Sequence, residues 1–415
     1  MLVHSITLKN LLSFRDASLE MGPLNVLIGP NACGKSNLIG AISLLQAAPR
    51  DLMEPIRTGG GIREWAWKGI GPIGQDLHLE CLLIAPYLGL PMPSDIDLPP
   101  PSIPPPPSSG IKPTEAIHAR YLLRLSSGLG QDILVAEERL ENEPTGGQAG
   151  TYIYAKMEYG EGSINIALPD SKRLERNETG IRGSILAERR DPYQYPEITH
   201  YARRFERIKL YRTWNMGRGA GPRLPQAPDL ANDFLNENAD NLVHVLNRMD
   251  KDGSIDKVTA YLRRFYNRFD RLIPSLEGGT VQLFVREKDL LDPVPATRLS
   301  DGTLRLLYLL SILCNRKAPP LVCIEEPELG MHPDALPLIA EALVAASEQM
   351  QLIVTTHSEV LIDALSDRPE AVVVCENDPE NGTRFRRLGK QGLEEWLEHY
   401  TLGELWRKGE IGGKL

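Results

Sequence analysis

Alternating apolar and polar residues mark the beginning of the chain. Residues 2–9 and 15–21 each alternate, which predicts two short strands around a turn at Leu11–Phe14. Residues 23–28 form an apolar run that ends in glycine, and this predicts a buried strand. Over residues 35–47 the apolar side chains recur at helical spacing. The chain therefore begins with two paired strands, followed by a buried strand and a helix.

The middle of the chain changes pattern several times. Residues 75–86 predict a strand, whereas 91–113 are too rich in proline for a helix or a central strand and predict an extended surface loop. Residues 117–168 alternate in several runs, as in an antiparallel meander. From 196 to 275 the spacing becomes helical. The clearest single elements here are helices at 232–249 and 255–269 and a strand at 281–287.

Helices and strands then alternate to the last residues of the chain. The predicted elements are a helix at 302–315, a strand at 321–324, a helix at 333–349, a strand at 351–355, a helix at 358–366, a strand at 371–376 and a helix near 391–407. Such alternation is typical of an α/β sheet. No heptad run is long enough for an extended coiled coil.

These patterns predict an α/β fold class with an antiparallel β subdomain and an inserted helical lobe. The expected segments are an N-terminal α/β lobe (1–90), a proline-rich loop (91–113), a β-rich insertion (114–195), a helical insertion (196–290) and a C-terminal α/β lobe (291–415).

The charge balance limits the kinds of partner that the protein can bind, and the cysteines indicate its cellular compartment. The 46 Lys and Arg against 55 Asp and Glu give a net charge of −9, so any nucleic-acid contact would have to be a local patch. No apolar run approaches the length of a membrane span, and the N-terminus lacks the features of a signal peptide. The five cysteines are scattered without a CxxC pair, as in a protein with free thiols. We therefore expect a cytoplasmic protein with no membrane contact.

The loop between the predicted buried strand and helix carries the first chemical motif. Gly29, Gly34, Lys35 and Ser36 satisfy the pattern G-x-x-x-x-G-K-[ST] of a phosphate-binding loop. Its glycines let backbone N–H groups converge on a phosphate at the positive end of the following helix. The lysine would neutralise the β- and γ-phosphate oxygens of ATP, and the serine hydroxyl would bind Mg²⁺.

The strand predicted at 321–324 ends in two acids, Glu325 and Glu326. In an ATPase the first acid of such a pair faces the metal ion, and the second orients and deprotonates the attacking water. By themselves they would be two solvated acids at a strand end. The phosphate loop upstream favours the catalytic interpretation.

A second candidate nucleotide contact is Leu299-Ser300-Asp301-Gly302-Thr303, which opens a predicted helix. A serine hydroxyl, a glycine backbone and a helix N-terminus together suit an anion. The alternative is an ordinary Ser helix cap. The position about 20 residues before the double acid favours the nucleotide role.

His357 follows the strand predicted at 351–355, in the sequence Thr355-Thr356-His357-Ser358. A histidine in this place can sense the γ-phosphate of ATP, although a lone histidine after a strand is more often a surface or packed residue. Its spacing after the double acid favours the functional role.

Together these motifs resemble the RecF/OLD/SMC branch of ABC-type ATPases, and especially the stand-alone ATPases related to the OLD ATPase domain. Asn37 after Gly-Lys-Ser, His332-Pro333 after Glu325-Glu326-Pro327-Glu328, and the closing Leu402-Gly-Glu-Leu-Trp also match. The specific motifs cover roughly residues 1–45 and 298–410. The resemblance implies an ABC-type P-loop ATPase head built from the two α/β lobes.

The resemblance also implies roles for individual residues. Glu326, His357 and Lys35 would be catalytic, and Ser36 and Glu325 would bind the metal ion. The expected nucleotide-binding residues are Gly29, Asn31, Gly34, Lys35, Ser36, Asn37, Ser300 and Gly302.

Three further positions qualify what the resemblance implies. Ser300 lies 265 positions after Lys35, far more than a transporter ATPase allows, so that function is disfavoured. His332 stands where transporters have the aspartate of the D-loop, which puts the usual cross-dimer role of that position in doubt. Gln75 is the nearest candidate for the glutamine of the Q-loop, and a weak one.

Basic and aromatic residues are interleaved in the predicted helical insertion. The first run contains Arg203, Arg204, Arg207, Lys209, Tyr211, Arg212 and Trp214, and the second contains Arg263, Arg264, Tyr266, Arg268 and Phe269. Such residues can grip the backbone and bases of DNA. The alternative, solvated helix faces in an acidic protein, is the one we favour.

The sequence as a whole predicts a Mg²⁺-dependent ATPase that forms a head-to-tail homodimer with ATP between the subunits. By resemblance, the process it serves is DNA repair or anti-phage defence, through an effector partner such as a nuclease or a toxin. The alternative is a scaffold that senses ATP, turns it over slowly and sequesters that partner.

Overall fold

The structure is a computed structural model, and it describes residues 1–69, 76–84, 118–127, 133–142, 153–165, 183–378 and 380–412. The proline-rich segment 91–113 and Gln75 lie outside the described residues. Within the described parts of the chain, no helix combines the length and apolar character that crossing a membrane requires.

Sixteen strands are present in the described residues. They are β1 (Val3–Leu11), β2 (Phe14–Glu20), β3 (Leu24–Ile28), β4 (Leu77–Ile84), β5 (His118–Ser127), β6 (Ile133–Asn142), β7 (Ile153–Glu158), β8 (Glu161–Ile164), β9 (Lys209–Tyr211), β10 (Phe269–Glu277), β11 (Thr280–Glu287), β12 (Val294–Pro295), β13 (Leu321–Glu325), β14 (Gln351–Thr355), β15 (Val372–Asp378) and β16 (Gly382–Arg387).

The same residues form twelve α-helices, most of them short. They are α1 (Lys35–Ala47), α2 (Glu54–Thr58), α3 (Ile62–Trp65), α4 (Ile185–Glu188), α5 (Pro196–Glu206), α6 (Leu242–Lys251), α7 (Ile255–Phe265), α8 (Asp301–Leu313), α9 (Leu336–Ser347), α10 (Glu359–Asp363), α11 (Glu394–Leu397) and α12 (Leu402–Lys408).

The first of two compact units comprises Met1–Gly22, Asn31–Ile208 and Cys375–Arg386. Its sheet has the order β8-β7-β6-β5-β4-β1-β2-β16, and the neighbouring strands are antiparallel. Side chains of β4 are alternately buried and half-buried, because successive residues of a strand face opposite sides of the sheet. This unit contains the antiparallel meander that the sequence predicts.

The second unit comprises Pro23–Pro30, Lys209–Val374 and Arg387–Leu415. Here β3 is an interior strand of a parallel sheet, between β14 on one side and Val372–Val374 of β15 on the other. Next to β14 follow β13 and then β9, also parallel. The apolar run of α8 lies almost wholly in the core of this unit, as its sequence Leu-Arg-Leu-Leu-Tyr-Leu-Leu requires.

Several predicted elements are wrong in extent or in kind. The helix predicted near 391–407 is two short helices, α11 and α12, because the side chains of Thr401 and Glu404 form a capping box that starts α12 anew. The helix predicted at 232–249 begins only at Leu242. Before it, the Asn241 side chain bonds to the backbone of Ala231 and Phe234, and this fixes a loop instead of a helix.

Four strands were not predicted, among them the two-residue β12 (Val294–Pro295). β9 and β10 lie in the stretch where helical spacing was expected, and the helix predicted to reach 269 ends at Phe265. β16 has the polar sequence Gly-Thr-Arg-Phe-Arg-Arg, which gives no apolar run to detect. The predicted division into five segments stays a prediction.

Candidate functional site

The predicted phosphate loop joins the end of β3 at Ile28 to the start of α1 at Lys35. Gly29 and Gly34 have φ angles of 148° and 102°, which glycine adopts without strain. No side chain caps the N-terminus of α1, so its first backbone N–H groups are not taken up by a capping side chain and can bind a ligand. This 13-residue helix therefore presents backbone donors and the positive end of its dipole to an anion.

Gly34 is required by its neighbours as well as by its φ angle. A Cβ atom at this position would overlap the hydroxyl of Thr383 in β16 and crowd that of Ser13. The Thr383 hydroxyl lies 2.8 Å from the Cys33 carbonyl and 2.7 Å from Ser13 Oγ. Thr383 thus holds the loop from behind, a role that the sequence did not reveal.

The predicted nucleotide-binding side chains of the first unit differ in exposure. Lys35 is buried, with 6% of its surface exposed, and its Nζ lies 3.7 Å from Cys33 Sγ. Asn31 and Ser36 are exposed, and Asn37 is half-buried. The exposed residues suit a ligand that arrives from solvent.

In the second unit, the parallel pairing of β13 with β14 brings the double acid and His357 together. Glu325 pairs with Thr355, so both strands end at the same edge of the sheet. The next residue, Glu326, has a φ of 46° and donates its backbone N–H to the Thr355 carbonyl. Its Oε1 lies 3.8 Å from His357 Nε2. Two predicted catalytic residues thus meet across adjacent strand ends.

Glu328 anchors the segment that carries His357. Its Oε1 accepts a 2.8 Å hydrogen bond from the Thr356 hydroxyl and a 2.7 Å bond from the His357 backbone N–H. Its other oxygen, Oε2, is buried and has no hydrogen-bond partner in the described residues. The sequence motif contained Glu328 but did not indicate this role.

Glu325 is engaged by two residues that follow β9. The Arg212 guanidinium forms an ion pair with its carboxylate at 2.8 Å, and Trp214 Nε1 donates to its backbone carbonyl at 2.6 Å. The Arg305 guanidinium lies over the Trp214 ring, 5.4 Å from its centroid. Arg212 and Trp214 were candidates for DNA contact, and here they bind the predicted metal ligand instead.

The start of α8 holds Ser300 and Gly302. The Ser300 side chain accepts a 3.1 Å bond from the Thr303 backbone N–H, so Ser300 is the N-cap of the helix. Behind this cap lies the buried guanidinium of Arg223. It donates to the carbonyls of Ala296 and Leu299. It also forms an ion pair with the carboxylate of Asp301. Arg223 gave no signal in the sequence.

Most of the other basic and aromatic candidates have partners within the protein. Arg204 is half-buried and donates to the carbonyls of Met1 and Ile84. Tyr211 and Phe269 belong to the core. Arg264 pairs with Glu341, and Arg268 pairs with Glu287 and Asp289. These contacts favour a structural role, although Arg203 and Arg207 remain at the surface.

Among the described residues, no three His, Cys, Asp or Glu side chains lie close enough to hold a metal ion by themselves. His332 is exposed and its Nδ1 accepts a bond from the Asp334 backbone. Mg²⁺ usually keeps several waters and takes only one or two protein carboxylates along with substrate phosphates. Glu325, whose carboxylate forms an ion pair with Arg212, is the carboxylate that the sequence predicts for such a site.

Comparison of the sequence with protein families and with curated proteins gives two matches. The family AAA_21, described as "AAA domain, putative AbiEii toxin, Type IV TA system", matches residues 24–70 and 123–363. The Old nuclease of Escherichia phage P2 is 30% identical over 179 residues. That match covers 39% of this chain and 30% of the phage protein, so the chain spans less than a third of this relative.

Comparison with solved structures identifies the fold. An SMC head bound to the C-terminal winged-helix domain of ScpA has a TM-score of 0.54 at 11% identity, covering 94% of this chain and 98% of that one. An SMC head with an extended coiled coil, bound to the C-terminal domain of ScpA derived from Pyrococcus furiosus, has a TM-score of 0.50 at 11% identity. It covers 95% of this chain and 98% of that one. The predicted ABC-type P-loop fold and the resemblance to OLD and SMC ATPases are confirmed.

Proposed function

This chain belongs to the AAA_21 family, and from that premise we propose that it is a Mg²⁺-dependent ATPase of the ABC type that works as a nucleotide-driven switch. The observation that carries the proposal is the 3.8 Å approach of Glu326 Oε1 to His357 Nε2 at neighbouring strand ends. Glu326 orients and deprotonates the water that attacks the γ-phosphate, and His357 senses that phosphate.

The phosphate loop holds the nucleotide in this proposal. Backbone N–H groups between Gly29 and Lys35 surround the β-phosphate, and the Lys35 ammonium neutralises the phosphate oxygens. Ser36 and Glu325 are the proposed protein ligands of Mg²⁺, which would supply charge neutralisation at the phosphates. The uncapped N-terminus of α1 supports this assignment.

The nucleotide also joins two copies of the chain. Ser300 and Gly302 of one copy contact the γ-phosphate bound by the other, so ATP stabilises the closed dimer and hydrolysis opens it. The exposure of Ser300 and its place at the N-terminus of a 13-residue helix support this role.

Substitution of the phosphate-loop lysine tests nucleotide binding. Lys35→Ala removes the charge that faces the phosphates, so ATP affinity and turnover should be lost, whereas Lys9→Ala, at an exposed ion pair on β1, should change neither. Titration with a fluorescent ATP analogue in the presence of Mg²⁺ measures the affinity. Equal affinities of Lys35→Ala and the unaltered protein would refute the assignment.

A second experiment tests the dimer. Glu326→Gln keeps the shape of the side chain but removes the base, so ATP should bind without being hydrolysed and the closed dimer should accumulate. Light scattering with and without MgATP measures the mass. A monomer at saturating MgATP would exclude the sandwich arrangement.

The process that the switch serves is proposed from the family and the phage relative. The family description names a toxin and a toxin–antitoxin system, and the relative is named a nuclease. We therefore propose that the dimer controls an effector protein, a nuclease or a toxin, in DNA repair or anti-phage defence within the cytoplasm. The product of the adjacent gene should bind this chain in an ATP-dependent way. Pull-downs with wild type and Lys35→Ala measure this.

The alternative is an ATP sensor that hardly turns over its nucleotide and sequesters the effector. The ion pair between Arg212 and Glu325 favours it, because an arginine on the metal ligand competes with Mg²⁺. Single-turnover kinetics separate the two. A sensor retains bound ATP for many minutes, whereas a cycling ATPase releases phosphate.

A further inference from the structure

The segment that follows β9 passes beside the end of β13. Tyr211, the last residue of β9, pairs with Ile324 in parallel register, so the chain leaves the sheet next to Glu325. Trp214 is the third residue after Tyr211, and its Nε1 donates a 2.6 Å hydrogen bond to the Glu325 carbonyl. This bond holds the backbone of the proposed metal ligand from outside the sheet.

The side chain of Trp214 packs against α8. Its ring meets the Tyr308 ring edge to face, with 5.1 Å between the centroids, and the Arg305 guanidinium lies 5.4 Å from its centroid. Arg305 also donates to the Trp214 backbone carbonyl at 3.3 Å. Arg305 and Tyr308 are three positions apart, so they lie on the same face of the helix. One face of α8 therefore holds both the ring and the backbone of Trp214.

Tyr308 is itself fixed in the core of the second unit. Its side chain is 2% exposed, and its hydroxyl donates to the Glu237 carbonyl at 2.8 Å. It also meets the buried ring of Tyr211 edge to face, with 5.5 Å between the centroids. Because packed cores have little free space, a shift of α8 moves Trp214 instead of being absorbed between the rings.

The helix α8 begins at Ser300, five positions before Arg305. Ser300 is exposed and caps the helix. A Cβ atom on Gly302 would lie 3.4 Å from the Gly330 carbonyl, and one on Gly330 would lie 3.1 Å from an Arg305 nitrogen. The first turn of α8 is thus closely packed on this side. A contact at Ser300 that displaces the helix also displaces Arg305, since a helix moves as a rigid element.

We propose that Trp214 is a positioning residue for Glu325, and that through Arg305 it makes this metal ligand respond to what Ser300 contacts. The inference rests on the proposed function, in which Ser300 meets the γ-phosphate held by a second copy of the chain. Closure of the dimer presses on the start of α8, and Trp214 carries the movement to the Glu325 backbone. The metal site of each copy is thereby coupled to the nucleotide of the other.

Replacing the indole by a phenyl ring separates positioning from packing. Trp214→Phe keeps an aromatic ring beside α8 but has no N–H for the Glu325 carbonyl. The measured quantity is the Mg²⁺ gain, defined as the affinity for a fluorescent ATP analogue with Mg²⁺ divided by the affinity with EDTA. Trp214→Phe should lower the Mg²⁺ gain by about fivefold, the effect of one ordinary hydrogen bond. The affinity with EDTA should stay unchanged, because the loop at Lys35 is intact.

Urea unfolding of Trp214→Phe shows whether its effect is only structural. A lower unfolding midpoint with an unchanged Mg²⁺ gain would mean that Trp214 only fills space, and it would overturn the positioning role. Trp396→Phe, which changes an exposed tryptophan of α11, is the matched control and should leave the Mg²⁺ gain as it is.

The contact between Trp214 and α8 is tested at Arg305. Arg305→Met keeps a long side chain but removes the cation from the ring, so the Mg²⁺ gain should fall about two- to fivefold. Arg305→Lys retains a cation and should recover part of this loss. An unchanged Mg²⁺ gain in Arg305→Met would overturn the path through α8.

A double-mutant cycle tests the link to Ser300. Ser300→Asp preserves the helix cap, because aspartate caps a helix as well as serine does, but its charge repels a phosphate. Ser300→Asp and Trp214→Phe interrupt the same path, so the double variant should have no lower Mg²⁺ gain than the more affected single variant. If the two reductions multiply instead, the sites act independently and the coupling is overturned.

Failure of this inference differs from failure of the proposed function. A wild type that binds MgATP but stays a monomer contradicts the sandwich dimer, while the Mg²⁺ gain of Trp214→Phe still decides whether Trp214 positions Glu325. A wild type that dimerises with MgATP, together with a Mg²⁺ gain that is the same in Trp214→Phe, contradicts the inference and leaves the proposed function standing.

Discussion

The carboxylate of Glu328 accepts a 2.7 Å hydrogen bond from the backbone N–H of His357, and the same oxygen binds the Thr356 hydroxyl. A carboxylate that accepts two bonds fixes the chain segment on which the histidine stands. Glu328 is therefore a positioning residue for His357, 29 positions further along the chain.

Glu328→Ala should lower kcat by about tenfold to a hundredfold, because misplacing a catalytic group by about 1 Å has effects of that size. The affinity for ATP should stay unchanged, since the loop at Lys35 is untouched. Glu328→Gln retains one acceptor oxygen and should recover part of the rate. Steady-state ATPase assays measure kcat and KM. Loss of ATP affinity with unchanged kcat would contradict the positioning role.

The second prediction concerns the Mg²⁺ requirement of the ATPase once Glu325 is released from its ion pair with Arg212. Arg212→Ala should lower the Mg²⁺ concentration for half-maximal ATPase activity by about two- to fivefold, since an exposed ion pair contributes up to about 1 kcal/mol. Arg268→Ala, which breaks a comparable pair with Glu287, serves as the control. Titration of the ATPase rate with Mg²⁺ measures this concentration for each variant. A higher Mg²⁺ requirement would mean that Arg212 assists the metal site.

The third prediction concerns the stability of the protein once the buried guanidinium of Arg223, near the start of α8, is removed. Arg223→Met should lower the free energy of unfolding by about 3 kcal/mol, because several carbonyls and the Asp301 carboxylate lose their donor. Arg223→Lys should not rescue it, since an ammonium cannot reach the same set of acceptors as the planar fork.

Urea unfolding measures the free energy of unfolding of both Arg223 variants and of the wild type. Arg298→Ala, which changes an exposed arginine, is the control. If Arg223→Met unfolds at the same urea concentration as the wild type, the guanidinium does not stabilise this segment.

DNA contact through the basic run of the first unit is the fourth prediction. Arg203→Glu with Arg207→Glu should weaken binding to a DNA duplex and reduce its dependence on salt, because both residues are exposed. Arg204 is left intact, since its bonds to Met1 and Ile84 make it structural. Fluorescence anisotropy at several salt concentrations measures the affinity. A wild type without affinity at low salt would end the DNA proposal and favour the effector partner.

The sequence predicts best the elements whose cause is local. Helix α1 spans Lys35–Ala47 as expected, because the glycines before it and its apolar spacing define it without outside help. The strands β3, β13 and β14 were likewise predicted from short apolar runs. Local information also explains the error near 391–407, where apolar spacing continued across the new cap at Thr401.

The residues that hold the candidate site in place could not be predicted. Arg212 meets Glu325 across 113 positions, Arg223 meets Asp301 across 78, and Thr383 meets Cys33 across 350. An arginine or a threonine in a polar segment carries no sign of so distant a partner. The basic and aromatic run around Arg212 was a candidate for DNA contact because its composition can be read from the sequence. Its ion pair with Glu325 cannot be read from the sequence.

The interior strand β3 of the second unit has a consequence for synthesis of the protein. β3 is made among the first thirty residues, but its two neighbours, β14 and β15, begin only at Gln351 and Val372. A ribosome must therefore add more than three hundred residues before this strand can pair on either side. Such distant pairing slows folding and leaves an apolar strand exposed in the meantime. The nascent chain should thus depend on chaperones until its last segment has emerged.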